Sequence, residues 1–304
     1  MLTVLALGGN ALLAPGERGT AAEHRANLAK TFAAARSIVA AGGGLVVTHG
    51  NGPQVGNELV RQELAASEVP PLPLYVAVAQ TQAEIGALAA SELAPIAGRD
   101  VAVVVTRVVV DENDPAFDNP TKPVGPFYPE PRARALADER GWEVREDAGR
   151  GWRRVVPSPE PLEILELDAI RTLVEAGAAV VAVGGGGIPV VAHEGRHDGV
   201  DAVIDKDRAS SLLAIGLGAD RLAILTQVDA VYEGFGTNAS RRIDKLAPGR
   251  DDALLEELAE GSMRPKVEAA FAFVRATGGE ALITSADALE NGEAGTRVVP
   301  ASRP

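Results

Sequence analysis

Short apolar runs that end at glycine recur along the chain and predict buried β-strands. The first run, 2–7, ends at Gly8-Gly9-Asn10, and the second run, 45–48, ends at the turn 49–53. A continuous apolar run bounded by turn residues is typical of a strand that is buried on both faces. The other predicted strands are a β-branched run over 101–110 and the segments 178–183, 222–226 and 281–284.

Segments with apolar residues at helical spacing lie between these runs. In 21–41, Leu28, Phe32, Ala35 and Val39 recur every three or four residues, and three glycines follow. The other predicted helices begin near Val55 and at Lys206 and cover 79–93, 163–177, 251–260 and 262–277. Strands that alternate with helices predict right-handed βαβ units. The expected fold is therefore α/β, with a mainly parallel sheet covered by helices on both faces.

The segment 111–161 breaks this alternation. It contains nine of the 20 prolines and both tryptophans, and no helix or strand period persists in it. Loops of this length in compact domains are usually lids or binding loops. We therefore expect an excursion from the main sheet rather than a boundary between two domains.

Composition narrows the range of functions. The chain has 304 residues, a net charge of −13, no cysteine and four histidines. These counts exclude disulfides and cysteine nucleophiles, and the histidine spacing disfavours a catalytic zinc site. The acidic balance argues against general nucleic-acid binding, although a local positive pocket can still bind a small anion. Because no membrane span and no secretory signal are visible, we expect a cytoplasmic protein with no membrane partner.

Lys206 is a cation in an unfavourable place. It lies between Asp205 and Asp207 at the start of a predicted helix, where the helix macrodipole favours anions. The chain has five lysines and 24 arginines, so the positions of lysine are informative. Two interpretations are open. Lys206 faces a bound anion and is held by an aspartate, or it belongs to a solvated helix start with a local ion pair.

The segment Gly261 to Lys266 repeats this conflict. Ser262 is a candidate N-cap, and Pro265 falls in the first turn, where proline is tolerated. Arg264 and Lys266 would then carry the wrong sign for the dipole, and a bound anion would remove the conflict. The alternative is that both side chains extend into water.

Three further residues are candidates with weaker support. Lys122 stands between prolines inside 111–161 and is either a lid residue or a surface charge. Asp229 ends a predicted strand and could meet a ribose or cap a turn. His49 has no identifiable partner, so a hydrogen-bonding role in its loop is favoured over that of a general base.

The glycine turns do not fit the common nucleotide fingerprints. GxxxxGK[ST] is absent, and Pro189 stands where GxGxxG would need a glycine after Gly184 and Gly186. Glycine turns after successive strands still allow backbone N–H groups to approach an anion closely. Three lysines without a nucleophile are typical of phosphoryl transfer that has no covalent intermediate. An aspartate beside Lys206 could orient the lysines and help to hold magnesium.

Seven blocks of sequence follow one another over nearly the whole chain. They are GGNALL (8–13), HGNGPQVGN (49–57), DPAFDNPTKPVGPFY (114–128), GWRRVVPSP (151–159), GGGGIPV (184–190), VIDKDRAS (203–210) and GSMRPKVEAA (261–270). In this order they resemble the motifs of the carbamate kinases, which belong to the amino acid kinase superfamily. The TKPVGPFY and RRVVPSP segments are the most specific, since related acyl-phosphate kinases lack them.

The resemblance implies a three-layer αβα sandwich that forms a single domain over 1–304, with 111–161 as a protruding lid subdomain. The N-terminal half would bind carbamate, and the C-terminal half, which begins at 205, would bind the nucleotide. It also implies a homodimer that transfers a phosphoryl group reversibly from ATP to carbamate, giving ADP and carbamoyl phosphate. Mg²⁺ would be held mainly through nucleotide phosphates. Members of the family often synthesise ATP in arginine catabolism or a related pathway.

Carried over block by block, the resemblance assigns roles to individual residues. The catalytic residues would be Lys206, Asp207, Lys122 and Lys266. The residues around carbamate and the transferred phosphoryl group would be Gly8, Gly9, Asn10, Gly50 and Asn51. The residues near the nucleotide would be Gly185, Gly186, Asp229, Tyr232, Met263 and Lys266.

The chain departs from the family pattern at Arg264, where the family usually has glycine, and Gln227 occupies a variable place. An arginine here could crowd the nucleotide pocket or add a phosphate contact, so nucleotide affinity is the property in question. Two other functions stay open: a related enzyme that acts on another small acid, and a non-catalytic nucleotide sensor. Retention of the four charged positions disfavours the sensor.

Overall fold

A computed structural model of the chain describes residues 1–14, 16–147, 149–237, 239–259, 261–292 and 295–301, and the side chain of Asn10 also lies outside the described part. The strands are β1 (Leu2–Leu7), β2 (Gly44–His49), β3 (Val101–Val103), β4 (Arg107–Val109), β5 (Lys122–Tyr128), β6 (Glu143–Glu146), β7 (Trp152–Val156), β8 (Glu163–Ile164), β9 (Ala179–Val181), β10 (Ile188–His193), β11 (Arg196–Gly199), β12 (Arg221–Thr226), β13 (Val231–Glu233), β14 (Arg241–Ile243), β15 (Lys245–Leu246), β16 (Glu280–Ser285) and β17 (Thr296–Val298). The α-helices are α1 (Ala21–Ala34), α2 (Arg36–Val39), α3 (Gly52–Ala65), α4 (Leu74–Ala97), α5 (Glu130–Arg140), α6 (Leu167–Glu175), α7 (Lys206–Leu217), α8 (Met263–Thr277) and α9 (Ala286–Glu290).

The central sheet of the described chain has eight strands in the order β15-β17-β16-β12-β1-β2-β9-β3. Each neighbouring pair is parallel except β16 and β17, which are antiparallel. The mainly parallel sheet that the alternation of strands and helices predicted is therefore confirmed.

Alternate residues of β1 enter two separate cores, because successive side chains of a strand point to opposite faces. Val4 lies in one buried cluster with Leu213 of α7 and residues of α8. Leu5 lies in the other, with Phe32 of α1 and Ile85 of α4. Helices thus cover both faces of the sheet, and the three-layer αβα fold is confirmed.

The β-branched segment 101–110 supplies two strands to two different sheets. β3 pairs with β9 in the central sheet, whereas β4 pairs with β10 and β8 in a second, four-stranded sheet. Between them, the Gln82 side chain donates to the carbonyl of Thr106 at 3.0 Å and accepts from its N–H at 2.9 Å. This side chain satisfies both backbone groups at the point where the chain leaves the first sheet.

Two predicted helices need correction. The segment 163–177 begins with β8, in which Ile164 pairs with Val108, and only its later part forms α6. The segment 251–260 contains a 3-10 helix at Asp252–Glu257 instead of an α-helix. Its winding is set by i→i+3 bonds, such as that from the N–H of Leu254 to the carbonyl of Asp251 at 3.1 Å.

The proline-rich excursion is more ordered than its sequence predicts. It contains α5 and an antiparallel sheet in the order β5-β7-β6. The two prolines inside β5 are tolerated because β5 is an edge strand, and its register against β7 shifts between Val124 and Tyr128. Val124 packs with Val55 and Leu59 of α3, so the excursion is docked on the helix that follows β2.

No helix in the described part of the chain is long and apolar enough to cross a membrane.

Candidate active site

The carboxyl ends of β1 and β2 meet at one edge of the central sheet. The two strands are parallel neighbours, with Leu7 opposite His49, so the turns Gly8-Gly9 and Gly50-Asn51 lie side by side. Within the described residues, the N–H groups of Gly50 and Asn51 donate to no protein acceptor. Two of the glycine turns that follow predicted strands therefore lie at one edge of the sheet, and glycine turns of this kind allow main-chain N–H groups to approach an anion.

The start of α7 is tied to this edge. Asp205 is the N-cap, and its carboxylate accepts from the backbone N–H of Asp207 at 2.9 Å. The hydroxyl of Ser210 donates to the carbonyl of Lys206 at 2.6 Å and lies 2.6 Å from the hydroxyl of Thr48 in β2. These bonds place the first turn of α7 next to the strand that ends at Gly50.

Three of the five lysines, Lys122, Lys206 and Lys266, converge on this helix start. Lys206 Nζ donates to Asp207 Oδ1 at 2.6 Å, and Lys266 Nζ donates to Asp207 Oδ2 at 2.9 Å. Lys122 Nζ, at the start of β5, donates to Asp205 Oδ2 at 3.1 Å. The local ion pair between Lys206 and Asp207 is thus present, but it is one contact of a cluster built from three distant segments.

Asp207 is the centre of this lysine cluster, and its side chain is only 4% exposed. Burial alone would raise the pKa of its carboxyl, but the nearby ammonium groups of Lys206 and Lys266 outweigh burial and lower the pKa from 3.8 to about 2. The carboxylate is therefore ionised at neutral pH and holds two cations close together.

This depressed pKa predicts a specific acid dependence of stability. The unfolded chain takes up the Asp207 proton near pH 3.8, whereas the folded chain takes it up only at about pH 2. The stabilisation is therefore complete above about pH 4 and is lost as the pH falls towards about 2. We expect the difference in free energy of unfolding between wild type and Asp207→Asn, measured by urea titration, to shrink across this interval. If the difference in free energy of unfolding stays constant down to about pH 2, the depressed pKa of Asp207 is contradicted.

A cavity of about 740 Å³ opens beside the lysine cluster. Pockets for small molecules commonly have about 300–1,000 Å³, so this volume suits a nucleotide. The residues predicted for the site that line this cavity are Gly8, Gly9, Lys206, Lys266, Tyr232 and Met263. Lys122 joins the cluster through Asp205, and Asn10 lies in the 3-10 turn after β1, with its side chain outside the described part.

Asn51 and Gly50 contribute backbone to this edge. The Asn51 side chain is buried and does not line the cavity. Its Nδ2 donates to Thr81 Oγ1 at 3.0 Å in the interior. A Cβ on Gly50 would lie 3.5 Å from Lys206 Cδ, so the Gly50 backbone is next to the lysine stem. A substrate contact from either residue would come from the main chain.

Gly185 and Gly186 lie behind the strand ends and are absent from the described residues that line the cavity. A Cβ on Gly185 would stand 2.2 Å from Asn51 Cγ, and one on Gly186 would stand 2.4 Å from the carbonyl oxygen of Ile204. In the structure these glycines allow close packing of the chain, and a nucleotide contact from them stays a prediction. A run of glycines in a sequence does not show which side of the turn faces a ligand.

Asp229 orients a cavity residue. The hydroxyl of Tyr232 donates to Asp229 Oδ1 at 2.9 Å, and Arg242 Nε lies 3.3 Å from Oδ2. The carboxylate therefore fixes the Tyr232 ring at the cavity wall, and a contact between Asp229 and a ribose stays a prediction.

Two features of the site were not assigned from the sequence. Asp205 is the partner of Lys122, and Lys30 lines the cavity, where its Nζ lies 3.4 Å from Asp287. The scarcity of lysine was the available signal, because four of the five lysines lie at or near the cavity.

Arg264 does not line the cavity in the described structure. Its Nε donates to Glu268 Oε1 at 2.9 Å, one turn further along α8. Arg208 Nη2 reaches the other oxygen of the same carboxylate at 3.1 Å. The arginine therefore belongs to an ion-pair network on the outside of the helix start.

From this geometry we expect Arg264→Ala to change the KM for ADP, in the activity that the sequence resemblance implies, by less than about threefold, because partly exposed ion pairs contribute about 0.2–1 kcal/mol. Initial-rate kinetics at varied ADP would measure the change. Arg264→Lys is the matched control that keeps the charge. A tenfold or larger rise in KM for Arg264→Ala alone would indicate a direct nucleotide contact instead.

Lysines without a nucleophile are suited to direct phosphoryl transfer, so the αβα fold and this site define a kinase for a small molecule. The Amino acid kinase family model matches residues 1–285. The chain therefore belongs to the amino acid kinase family, and carbamate kinases are among its full-length relatives.

The similarity to carbamate kinases extends over both chains. The carbamate kinase of Halobacterium salinarum is 47% identical over 98% of this chain and 98% of the relative. That of Pyrococcus horikoshii is 44% identical with the same coverage. A structure of the carbamate kinase from Giardia lamblia bound to AMP-PNP superposes with a TM-score of 0.90 at 41% identity, covering 99% of this chain and 98% of that one.

Proposed function

We propose that this protein is a carbamate kinase, which transfers a phosphoryl group reversibly between ATP and carbamate to give ADP and carbamoyl phosphate. The observation that carries the proposal is the convergence of Lys122, Lys206 and Lys266 on Asp205 and Asp207 beside a nucleotide-sized cavity. The end-to-end similarity to carbamate kinases supports the choice of carbamate as the acceptor.

The reaction needs no proton transfer and no covalent enzyme intermediate. A carbamate oxygen anion attacks the γ-phosphorus of ATP, the bond from that phosphorus to the bridging oxygen breaks, and ADP leaves with the electron pair. Negative charge is spread over the transferred group, so positioned cations are the main requirement. Lys206 would stabilise this charge, Lys266 would contact the nucleotide phosphates, and Lys122 would approach from the excursion. Asp207 would keep the first two lysines in place.

The two substrates would approach from different sides of the lysines. Carbamate and the transferred phosphoryl group would lie against the main chain of Gly9, Asn10, Gly50 and Asn51. The nucleotide would occupy the cavity between this edge and Tyr232 and Met263, which line its wall. The N-terminal part of the chain would thus supply the acceptor site, and the part after 205 the nucleotide site.

Magnesium would accompany the nucleotide. Across the described residues, no group of three or more His, Asp or Glu side chains is arranged to hold a metal. Mg²⁺ commonly keeps several waters and binds substrate phosphates with one or two carboxylates, so this arrangement fits the ion. When bound, it would neutralise phosphate charge.

We also propose, from the family resemblance, a homodimer in the cytoplasm that supplies ATP in arginine or related catabolism.

The test is ATP formation by the purified protein from ADP, Mg²⁺ and carbamoyl phosphate, detected by coupled hexokinase and glucose-6-phosphate dehydrogenase. Parallel reactions with acetyl phosphate and other acyl phosphates would identify a related enzyme with a different acid. Binding of ADP by calorimetry without turnover of any acyl phosphate would contradict the proposal and indicate a sensor.

A further inference from the structure

His49 ends β2, and its ring is buried behind the Gly50-Asn51 turn, with 1% of the residue exposed. Its Nδ1 lies 2.9 Å from the carbonyl oxygen of Gly50. A carbonyl can only accept a hydrogen bond, so Nδ1 carries the proton and donates. Burial, with a smaller contribution from the charge of Lys206, outweighs the bond to Gly50 and lowers the pKa of the imidazole to about 4. His49 is therefore a neutral donor at physiological pH.

The space around this ring is closed by the chain after β9. A Cβ on Gly184 would stand 2.5 Å from two atoms of the His49 ring, and one on Gly185 would meet the buried Asn51 amide. Just before them, Val183 has a φ of 52°, an unfavourable value for a β-branched residue. Such strain persists only where the surrounding structure enforces it and is concentrated at functional sites. Gly184 and Gly185 thus form a floor that holds His49 and Asn51.

The hydrogen bond from His49 determines how the next peptide is turned. In a trans peptide the C=O and the N–H point in opposite directions. With the Gly50 carbonyl directed at the buried ring, the N–H of Asn51 must point away from it. That N–H has no protein acceptor in the described structure. The Asn51 side chain is also anchored, through its bond to Thr81, so the peptide is held at both ends.

We propose that His49 is a positioning residue that aims the N–H of Asn51 at the phosphoryl group transferred to carbamate. The inference deepens the proposed function and rests on it. His49 does not act as a general base, because the carbamate oxygen is already an anion and the unprotonated Nε2 packs against Gly184. The glycine floor is required because any side chain there would displace the ring.

The test compares His49→Asn with His49→Leu. The Asn amide nitrogen can stand close to the position of Nδ1 and donate to Gly50, but it cannot take up a proton. Leucine fills a similar volume without a donor. We expect His49→Leu to lower kcat about 10²-fold, the usual loss for one aimed donor, with the Kd for ADP unchanged. His49→Asn should stay within about tenfold of wild type and keep the wild-type shape of the pH–rate profile.

Two outcomes would overturn the proposal. One is near wild-type turnover by His49→Leu. The other is an equal loss in both variants while both still bind ADP, which would assign the ring a role that an amide cannot fill. If His49→Leu does not fold, Gly184→Ala provides the second test, because its methyl group must displace the ring and is expected to cause a similar loss of kcat.

Failure of the proposed function would look different. In that case wild type itself forms no ATP from ADP and carbamoyl phosphate. Crystal structures of both variants then test the geometry without turnover. The Gly50–Asn51 peptide should keep its orientation in His49→Asn and rotate in His49→Leu, and an unrotated peptide in His49→Leu would overturn the positioning role.

Discussion

Replacing Lys206 by methionine is expected to lower kcat about 10³-fold, with little change in the Kd for ADP. Single electrostatic donors are commonly worth about 10²–10³ in rate, and Lys206 adds a full charge at the junction of cavity and strand ends. Methionine keeps the length and the apolar stem, so the change removes mainly the ammonium group. Rates of ATP formation under saturating ADP and carbamoyl phosphate would measure the effect.

Two control variants test whether the loss of kcat depends on the position of the lysine and on its charge. Lys245→Met removes the same charge from an exposed residue of β15 and should leave kcat unchanged. Lys206→Arg keeps a cation but changes its shape, and it should recover only part of the activity. Turnover near that of wild type in Lys206→Met would show that Lys206 has no role in the transition state.

Replacing Asp207 by asparagine is expected to lower both stability and rate. The carboxylate is buried and accepts from Lys206 and Lys266, so its loss leaves two neighbouring ammonium groups uncompensated. Removing one partner of a buried ion pair costs about 3–5 kcal/mol in free energy of unfolding. We expect kcat to fall about 10²-fold, because lysines that repel one another no longer hold their positions. Affinity for ADP should not fall, since the net positive charge of the site increases.

The measurements for this variant are urea unfolding, kcat and calorimetric binding of ADP. Asp168→Asn is the matched control, because Asp168 has a fully solvated side chain on α6, 99% exposed, and its loss also removes one negative charge. Unchanged stability of Asp207→Asn would mean that the two lysines do not depend on this carboxylate. A fall in ADP affinity with unchanged kcat would instead make Asp207 part of the nucleotide site.

The sequence predicts six of the eight strands of the central sheet, because most of these six are buried on both faces and read as unbroken apolar runs. It does not predict β15 and β17, which have only two and three residues. The excursion 111–161 was less predictable. In β5, prolines interrupt the alternation, and the strand pairs with only one neighbour, so the pattern carries little information. The sequence predicts a helix start where the short strand β8 lies, because two residues show no period.

The candidate site also has features that the sequence predicts and features that it does not. Lys206 and the aspartates on either side of it are neighbours in the chain, so their conflict with the helix dipole was visible in the sequence alone. The sequence also shows the glycine turns, but it does not show which side of each turn faces a ligand and which side packs against the protein. The resemblance places Gly185 and Gly186 near the nucleotide, and the structure shows that they also pack closely against Asn51 and Ile204.

By itself, the sequence determined the α/β class, the residues able to bind an anion and the resemblance to carbamate kinases. Their assembly into one site depends on tertiary structure. Lys122 and Asp205 are 83 positions apart, and Lys266 and Asp207 are 59 apart. Periodicity reports only which face of an element is buried, over a few turns or pleats. Such distances are set by packing between elements: the parallel pairing of β1 and β2, the contact of α7 with α8, and the docking of β5 on α3. That packing brings Lys122, Lys206 and Lys266 together.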